Sequence, residues 1–338
     1  MKKFWKNKNV FITGINGFIG GNLAKNLINH KANVFGLIRD KKKNTYIYYE
    51  NLVKKITLIN GDLNDQILIQ RIIDEYSINI VFHFAAQVEV GIGLANPFYT
   101  FETNIRGTYS LLESIKKSKQ KVRSIVVASS DKAYGSYPKS AMPYKEYYPL
   151  IPQFPYDVSK ACADMISKSY SNEPFKMPII VTRFCNIYGP GQLNFSAVIP
   201  DGIRSALNYS SFTPRGNGTQ VRDFIYVQDV AELYMKMAEE IFNKPKKMRG
   251  EVFNAGTNKG YNVREILELI FKLCDNKKDF NSILKKMKNK KTTGEINLQI
   301  MDHKKIKKYI GWQPRYNLKT GLTETISWFS DYLKKNNL

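Results

Sequence analysis

Five side chains in this sequence could pass protons to and from a bound molecule: Ser130, Asp131, Lys132, Tyr156 and Lys160. The first three are adjacent and offer a hydroxyl, a carboxyl and an amine side by side. The other two are four apart, so on a helix they share one face. A free tyrosine ionises near pH 10, about three units above neutrality, and needs help to act as a base. A lysine one turn along supplies that help, because a neighbouring cation favours the phenolate. Taken alone, Asp131 and Lys132 would read as an exposed turn pair, since Asp is common in turns and Lys is usually solvated. Their context argues otherwise. They follow Arg123-Ser-Ile-Val-Val-Ala, a strand-like run, and so stand where a strand ends and a loop begins. In an open parallel sheet that edge is where ligands bind. Tyr134 and Gly135 complete the packing of the same loop.

The elements that must position these groups alternate regularly. Apolar, β-branched runs predict strands over 8–13, 33–38, 56–59, 78–84, 123–128 and 179–184. Helical patterns lie between them: one runs to about residue 30, others span 65–76 and 99–117, and another opens at Tyr156. The glycine-containing stretch 91–97 reads as a loop. Six rounds of strand and helix predict an α/β fold, a doubly wound parallel sheet covered on both faces. After Asn186-Ile-Tyr-Gly-Pro-Gly the period changes, with more Asn, Gly and Pro and a lysine-rich, weakly patterned stretch over 276–308. The expected organisation is therefore a nucleotide-binding unit over 1–186, with returning segments near 222–256. A smaller C-terminal α+β substrate lobe covers 187–338. Amphipathic helices are expected over 228–242, 263–274 and 318–333.

Composition excludes several classes. At 338 residues the chain can bury a large core. Its apolar runs stop well short of the roughly 20 residues that a membrane-spanning helix needs. The opening Met-Lys-Lys-Phe-Trp-Lys-Asn-Lys has no signal-peptide pattern, so a cytoplasmic protein is expected. Cys162, Cys185 and Cys274 are odd in number and widely spaced, which offers neither a disulfide framework nor a metal site. His30, His83 and His303 are equally scattered, and His83, inside an apolar strand, reads as a satisfied core ring. No metal is expected. The net charge of +23 raises nucleic-acid binding. However, the lysines cluster at 41–43, 116–121, 244–247 and 285–308, without the interleaved aromatics that stack bases. Neither a nucleic acid nor a membrane is an expected partner. A positive field would still help to attract a diphosphate.

Gly14-x-x-Gly17-x-x-Gly20 follows the first strand and opens the first helix, the setting a dinucleotide site requires. Glycines let the backbone approach a pyrophosphate, and the helix N-terminus stabilises its charge. The second strand ends Gly36-Leu-Ile38-Arg39-Asp40-Lys41. An acid at this end binds a ribose 2′-hydroxyl, whereas an Arg accommodates a 2′-phosphate. Ile38 stands where the acid is expected, while Arg39 and Asp40 follow. NAD and NADP are both open.

Gly14-x-x-Gly17-Phe18-Ile19-Gly20, Asp62-Leu63, Ala85-Ala86-Gln87, the Ser130 trio, Tyr156-x-x-x-Lys160 and Arg222-Asp-Phe-Ile-Tyr-Val together resemble an extended short-chain dehydrogenase/reductase acting on nucleotide sugars. The resemblance covers nearly the whole chain. Within that group the sequence is most similar to the 4,6-dehydratases. The Ser-Asp-Lys trio and Thr182-Arg183-Phe-Cys-Asn186-Ile-Tyr-Gly-Pro-Gly-Gln-Leu-Asn-Phe-Ser look most like the CDP-glucose branch. Gly36-Leu-Ile-Arg39 looks like the NADP-using GDP-mannose branch. The resemblance implies a Rossmann-type sheet and a tightly bound NAD or NADP that is regenerated at each turnover. Gly14, Gly17, Phe18, Ile19, Gly20, Arg39, Asp62, Leu63, Ala85, Ala86, Gln87, Asn104, Tyr156 and Lys160 would bind it.

The resemblance also makes Ser130, Tyr156 and Lys160 the hydride-transfer trio, with Tyr156 as base at the sugar C4 hydroxyl. Asp131 would protonate the departing C6 hydroxyl, and Lys132, as a neutral amine, would take the C5 proton. Asn186, Asn194 and Arg222, with Ser130, would hold the nucleotide-diphosphate sugar, and Arg215 is a further candidate cation. Family analogy implies a homodimer joined through the helices over 99–117 and 156–170. The rival of the same fold is a nucleotide-sugar 4-epimerase, which needs no acid and base at 131 and 132. The rival of another class is a nonenzymatic dinucleotide- or nucleic-acid-binding protein, against which the intact Ser130, Tyr156 and Lys160 argue.

Overall fold

Strand β1 (Asn9–Thr13) is buried on both faces, with Val10 and Ile12 in one apolar cluster and Phe11 in another. That double burial is the mark of a sheet sandwiched between helices. The structure, a computed structural model, describes residues 2–214, 216–288, 290 and 296–336. After β1 come α1 (Phe18–Asn29), β2 (Asn33–Ile38), β3 (Ile56–Asn60), α2 (Gln66–Glu75), β4 (Ile80–His83), α3 (Gly107–Lys117), β5 (Ser124–Ala128), α4 (Pro155–Ser171) and β6 (Ile179–Phe184). Then follow β7 (Asn186–Tyr188), α5 (Val198–Ala206), β8 (Val221–Tyr226), α6 (Val227–Asn243), β9 (Val252–Ala255), β10 (Gly260–Asn262), α7 (Val263–Leu273), β11 (Leu298–Gln299) and α8 (Leu318–Lys335).

The main sheet has seven strands in the order β3-β2-β1-β4-β5-β6-β9, all parallel. It is a Rossmann-type doubly wound sheet. One face packs α1 and α6 through Leu23, Leu27, Leu233 and Met237. The other packs α2 and α3 through Ile69, Ile73, Leu111 and Leu112. Strand order reverses between β1 and β4, and that switch opens a crevice beyond their carboxyl ends. The second sheet joins β7, β8, β10 and β11, and its core is shared by α5, α7 and α8. Strand β9 returns to close the main sheet, and α6 covers that sheet from within the later half of the chain. Among the described residues no helix is long and apolar enough to cross a membrane, and no group of His, Cys, Asp or Glu could hold a metal.

The stretch 91–97 departs from the loop expected of it. Val90–Ala95 is helical, and a second helix starts at Pro97 with Asn96 accepting from the Tyr99 N–H at 3.0 Å. Gly91 and Gly93 lower helix propensity but do not forbid a short, packed turn. From Pro97 the helix runs on to Lys117 through one π-helical turn, Glu102–Arg106. Asn104 sits on that turn. Arg215 lies outside the described residues.

Candidate active site

A cleft of about 1570 Å³ runs from the Gly14 turn, past the carboxyl ends of β1, β4 and β5, to the second sheet and Met287. At its first end Gly14 has φ +76°, and a Cβ there would stand 2.7 Å from the Ala85 nitrogen. A Cβ on Gly20 would stand 2.4 Å from the Gly14 carbonyl oxygen. Helix α1 starts at Gly17 with no side-chain cap, and Phe18, Ile19 and Gly20 line the cleft. Uncapped first-turn N–H groups beside a backbone cradle closed to any Cβ fit an anionic pyrophosphate. Ala85, Ala86, Asp62 and Leu63 line the same end. At the end of β2, Ile38 is buried, while Arg39 and Asp40 are exposed on the cleft. Arg39 donates from Nη1 to the Tyr99 hydroxyl at 3.1 Å and from Nε to Asp40 at 3.4 Å. One partner is thus available for a 2′-phosphate and one for a 2′-hydroxyl.

The trio is held by the strand from which it emerges. The Ser129 N–H donates to the Thr182 carbonyl at 2.8 Å, and the Ser129 hydroxyl donates to the Lys160 carbonyl at 3.0 Å. In return the Lys160 ammonium donates to the Ala128 carbonyl at 2.8 Å. Ser130, in extended conformation, caps the short 3₁₀ turn Asp131–Tyr134. Its oxygen accepts from the Lys132 N–H at 3.2 Å, and its hydroxyl donates to Asp131 Oδ1 at 3.0 Å. Asp131 is buried, and among the described residues Oδ2 has no partner. Burial pushes its carboxyl up from the ordinary value, while Lys132, the Ser130 hydroxyl and Arg222 pull it back. The Tyr156 phenol is raised by burial and eased by Ser130, and Asp131 and Asp157 raise it further. Burial lowers Lys160 to about 8.

Ser130, Asp131, Lys132, Tyr156, Asn186, Asn194 and Arg222 all line the one cleft. Lys160, Gln87 and Asn104 are buried and do not line it. Asn104 is buried; its Oδ1 accepts from the Gln87 N–H at 2.7 Å, and its Nδ2 donates to the Gln87 carbonyl and the Ser159 hydroxyl. It therefore fixes the loop after β4 rather than facing the cleft. Asn194 turns its Oδ1 to the Ser196 N–H at 2.9 Å, shaping its own loop. The Asn186 amide donates to the Asp223 carbonyl at 3.5 Å, and the residue lines the cleft. Arg222 is buried on β8 and donates to the Val221 carbonyl at 2.9 Å.

Three further groups were not legible as site residues. Asp157, in the first turn of α4, is only 2 % exposed. Burial pushes its carboxyl up to about 6, Lys132 pulls it down and Asp131 raises it. Lys132 is therefore faced by two carboxyls. The only signal in the sequence is an acid next to Tyr156, which reads equally as an ordinary helix-start residue.

A clamp lies behind the trio. Arg183 makes a buried two-pronged pair with Asp164, at 2.7 and 3.1 Å, and its guanidinium lies 4.8 Å from the centre of the Tyr134 ring. Tyr134 stacks on Tyr144 at 4.8 Å and donates to Asn254 Oδ1 at 2.8 Å. Tyr144 donates to the Gly135 carbonyl at 2.6 Å.

On the cofactor side, His83 is buried with Nδ1 2.7 Å from the Thr13 hydroxyl and Nε2 3.0 Å from that of Thr108. Thr108 donates to the Asn104 carbonyl at 2.6 Å, which assigns the ring proton to Nε2. Burial first, and Lys160 second, lower His83 to about 3, so it is a neutral strut between strand and helix.

Residues 11–325 match the family described as GDP-mannose 4,6 dehydratase. The chain is 31% identical over 333 residues to the trifunctional UDP-glucose 4,6-dehydratase/UDP-4-keto-6-deoxy-D-glucose 3,5-epimerase/UDP-4-keto-L-rhamnose-reductase of Arabidopsis thaliana. That alignment takes in 96% of this chain and 48% of the relative, so the chain spans about half the relative's length. Among solved structures, the UDP-glucose 4-epimerase of Thermotoga maritima with UDP-glucose superposes with a TM-score of 0.85 at 28% identity, over 96% of this chain and 99% of that one. The dTDP-glucose 4,6-dehydratase of Bacillus anthracis in complex with NAD superposes with a TM-score of 0.82, also at 28% identity, over 97% and 98%.

Proposed function

The chain belongs to the GDP-mannose 4,6 dehydratase family of extended short-chain dehydrogenase/reductases, and from that premise we propose that it is a nucleotide-sugar 4,6-dehydratase. It converts an NDP-hexose to the 4-keto-6-deoxy sugar, with CDP-glucose the first candidate and a GDP-sugar the second. One observation carries the reading. Asp131, a carboxyl raised by burial, lies beside Ser130 and Tyr156 with one oxygen unpartnered among the described residues. Hydride transfer alone has no use for such an acid, whereas removal of a C6 hydroxyl requires one.

When bound, NAD or NADP supplies a hydride acceptor at C4 and a hydride donor at C6. The glycine turn, with Phe18, Ile19, Asp62, Leu63, Ala85 and Ala86, would hold its adenosine and pyrophosphate end. Tyr156 takes the proton of the C4 hydroxyl, and Ser130 hydrogen-bonds that oxygen. The C4 ketone acidifies C5–H, Lys132 removes that proton, and Asp131 protonates the leaving C6 oxygen. Asp157, a buried carboxyl raised to about 6, faces Lys132 and holds the amine toward C5. Arg222 and Asn186 meet the diphosphate sugar. Phe98, Tyr109 and Met165, exposed on the helices over 97–117 and 155–171, are the apolar contacts of the homodimer in this reading.

A panel of CDP-, GDP-, UDP- and dTDP-hexoses tests the function. The expected product is one sugar lighter by one water, with no net cofactor consumed. The likeness to the Thermotoga maritima epimerase favours a second reading, for which the product is an isomer of unchanged mass.

A further inference from the structure

We propose that Ser130 is a proton relay between Tyr156 and Asp131, returning to the aspartate at each turnover the proton that the tyrosine has collected. The proposal rests on the dehydratase reading and follows from its proton balance. In the first step the C4 O–H bond breaks and its proton goes to Tyr156, while hydride leaves C4 for the nicotinamide. In the second the C5–H bond breaks toward Lys132, and the C6–O bond breaks with its oxygen leaving as water on the proton of Asp131. In the third, hydride returns to C6 and Lys132 gives its proton back to C5. The redox change closes and Lys132 is restored. Tyr156 has gained one proton and Asp131 has lost one. No second sugar can react until that proton has moved from the phenol to the carboxylate.

Ser130 is built for that transfer. A hydroxyl has one hydrogen and two acceptor sites. The hydrogen is given to Asp131 Oδ1 at 3.0 Å, and one acceptor site takes the Lys132 N–H at 3.2 Å. Once product has left and the C4 oxygen no longer engages Ser130, the remaining site is left for the Tyr156 phenol, which lines the same cleft and whose ionisation the Ser130 hydroxyl eases. Shifting both hydrogens along Tyr156–Ser130–Asp131 leaves phenolate at one end and carboxylic acid at the other, which is the starting state. Like charges in a buried site resist ionising together, so the pair shares one proton. The Asp131 charge opposes phenolate, as such a pair requires. Lys160 gives a hydrogen to the Ala128 carbonyl, not to either of them.

The test uses NAD(P)-loaded enzyme and a sugar nucleotide deuterated at C4. With the wild type, product accumulates linearly. Ser130→Ala, slowed in its first turnover by loss of the bond to the C4 oxygen, should still form one product per active site and then continue at least about tenfold more slowly than that first turnover. That slow phase should be insensitive to C4 deuterium and be accelerated by small buffer acids, which replace the relay. Ser130→Thr, which keeps the hydroxyl, should restore linear accumulation. A Ser130→Ala enzyme whose steady rate carries the full C4 isotope effect and ignores buffer acid would overturn the relay while leaving the dehydratase reading intact. A wild type that dehydrates no sugar nucleotide would overturn both. A measurement without turnover adds a check: tyrosinate absorbance, taken as the difference from Tyr156→Phe, should appear at lower pH in Asp131→Asn. An unchanged titration would mean that the two groups share no proton.

Discussion

The two ends of the cleft are built by different means. At the cofactor end the chemistry is carried by backbone, with Gly14 and Gly20 leaving no room for a Cβ and α1 starting uncapped. At the end proposed for elimination it is carried by side chains: two carboxyls, an amine and a phenol, nearly all buried, shared between a four-residue turn and the first turn of α4. A backbone site asks little of its residue types beyond glycine where neighbouring backbone leaves no room for a Cβ. A buried cluster of ionisable groups needs a support that outweighs the cost of taking charges from water. That support is the clamp of Arg183, Asp164, Tyr134, Tyr144 and Asn254, drawn from four separate elements and the loop at Tyr144.

Breaking the clamp tests the contrast most severely. Arg183→Ala leaves Asp164 buried and unpaired, and removing one partner of such a pair costs about 3–5 kcal/mol. We expect that loss in chemical denaturation, together with loss of dehydration. Replacing both partners, Arg183→Met with Asp164→Leu, should recover most of the stability. A loss of under about 1 kcal/mol for Arg183→Ala, the value of an exposed pair, would mean that the clamp does not carry the loop.

Asp157 gives a pH-dependent version of the same test. Its carboxyl ionises near 3.8 when unfolded and at about 6 when folded. Between these values the unfolded chain has already lost a proton that the folded chain keeps, so stability falls as pH rises. The penalty is complete above about pH 6 and amounts to about 3 kcal/mol. Asp157→Asn should therefore be more stable than the wild type at neutral pH, with the advantage fading toward pH 4. It should also be slower in C5 deuterium uptake from heavy water, because Lys132 has lost one of the two carboxyls that face it. Equal stability of the two proteins at neutral pH would remove the strain assigned to this residue.

The same division decides what could be read from the sequence. The six strands and the glycine turn are local patterns, and β2 and β6 fall where periodicity puts them, at Asn33–Ile38 and Ile179–Phe184. The trio is visible because it abuts a strand. Its support is not, because the partners of Tyr134 and Arg183 lie 120 and 19 residues away and only folding joins them. The helix Val90–Ala95 is hidden by its glycines, and the π turn at Asn104 has no sequence pattern that distinguishes it from the helix around it. Asp157 is visible as a letter but not as a buried charge. Its burial depends on α4 packing against the turn that carries Lys132.

The smallest perturbation of stability gives the sharpest separation of the two ends. Tyr144→Phe keeps the ring that stacks on Tyr134 and removes only the hydroxyl that donates to the Gly135 carbonyl at 2.6 Å. The expected cost is about 1 kcal/mol, the value of one net hydrogen bond. Gly135 closes the turn that carries Asp131 and Lys132, and it holds φ +74°. Freeing its carbonyl lets that turn shift relative to Tyr156 while the glycine turn at Gly14 is untouched. C4 oxidation, followed as transient reduced cofactor, should be retained, while C5 deuterium uptake and release of the dehydrated sugar fall together. Cofactor affinity should not change. Equal slowing of oxidation and elimination would mean that Tyr144 supports the whole cleft, and the division into a backbone-built end and a side-chain-built end would fail at this residue.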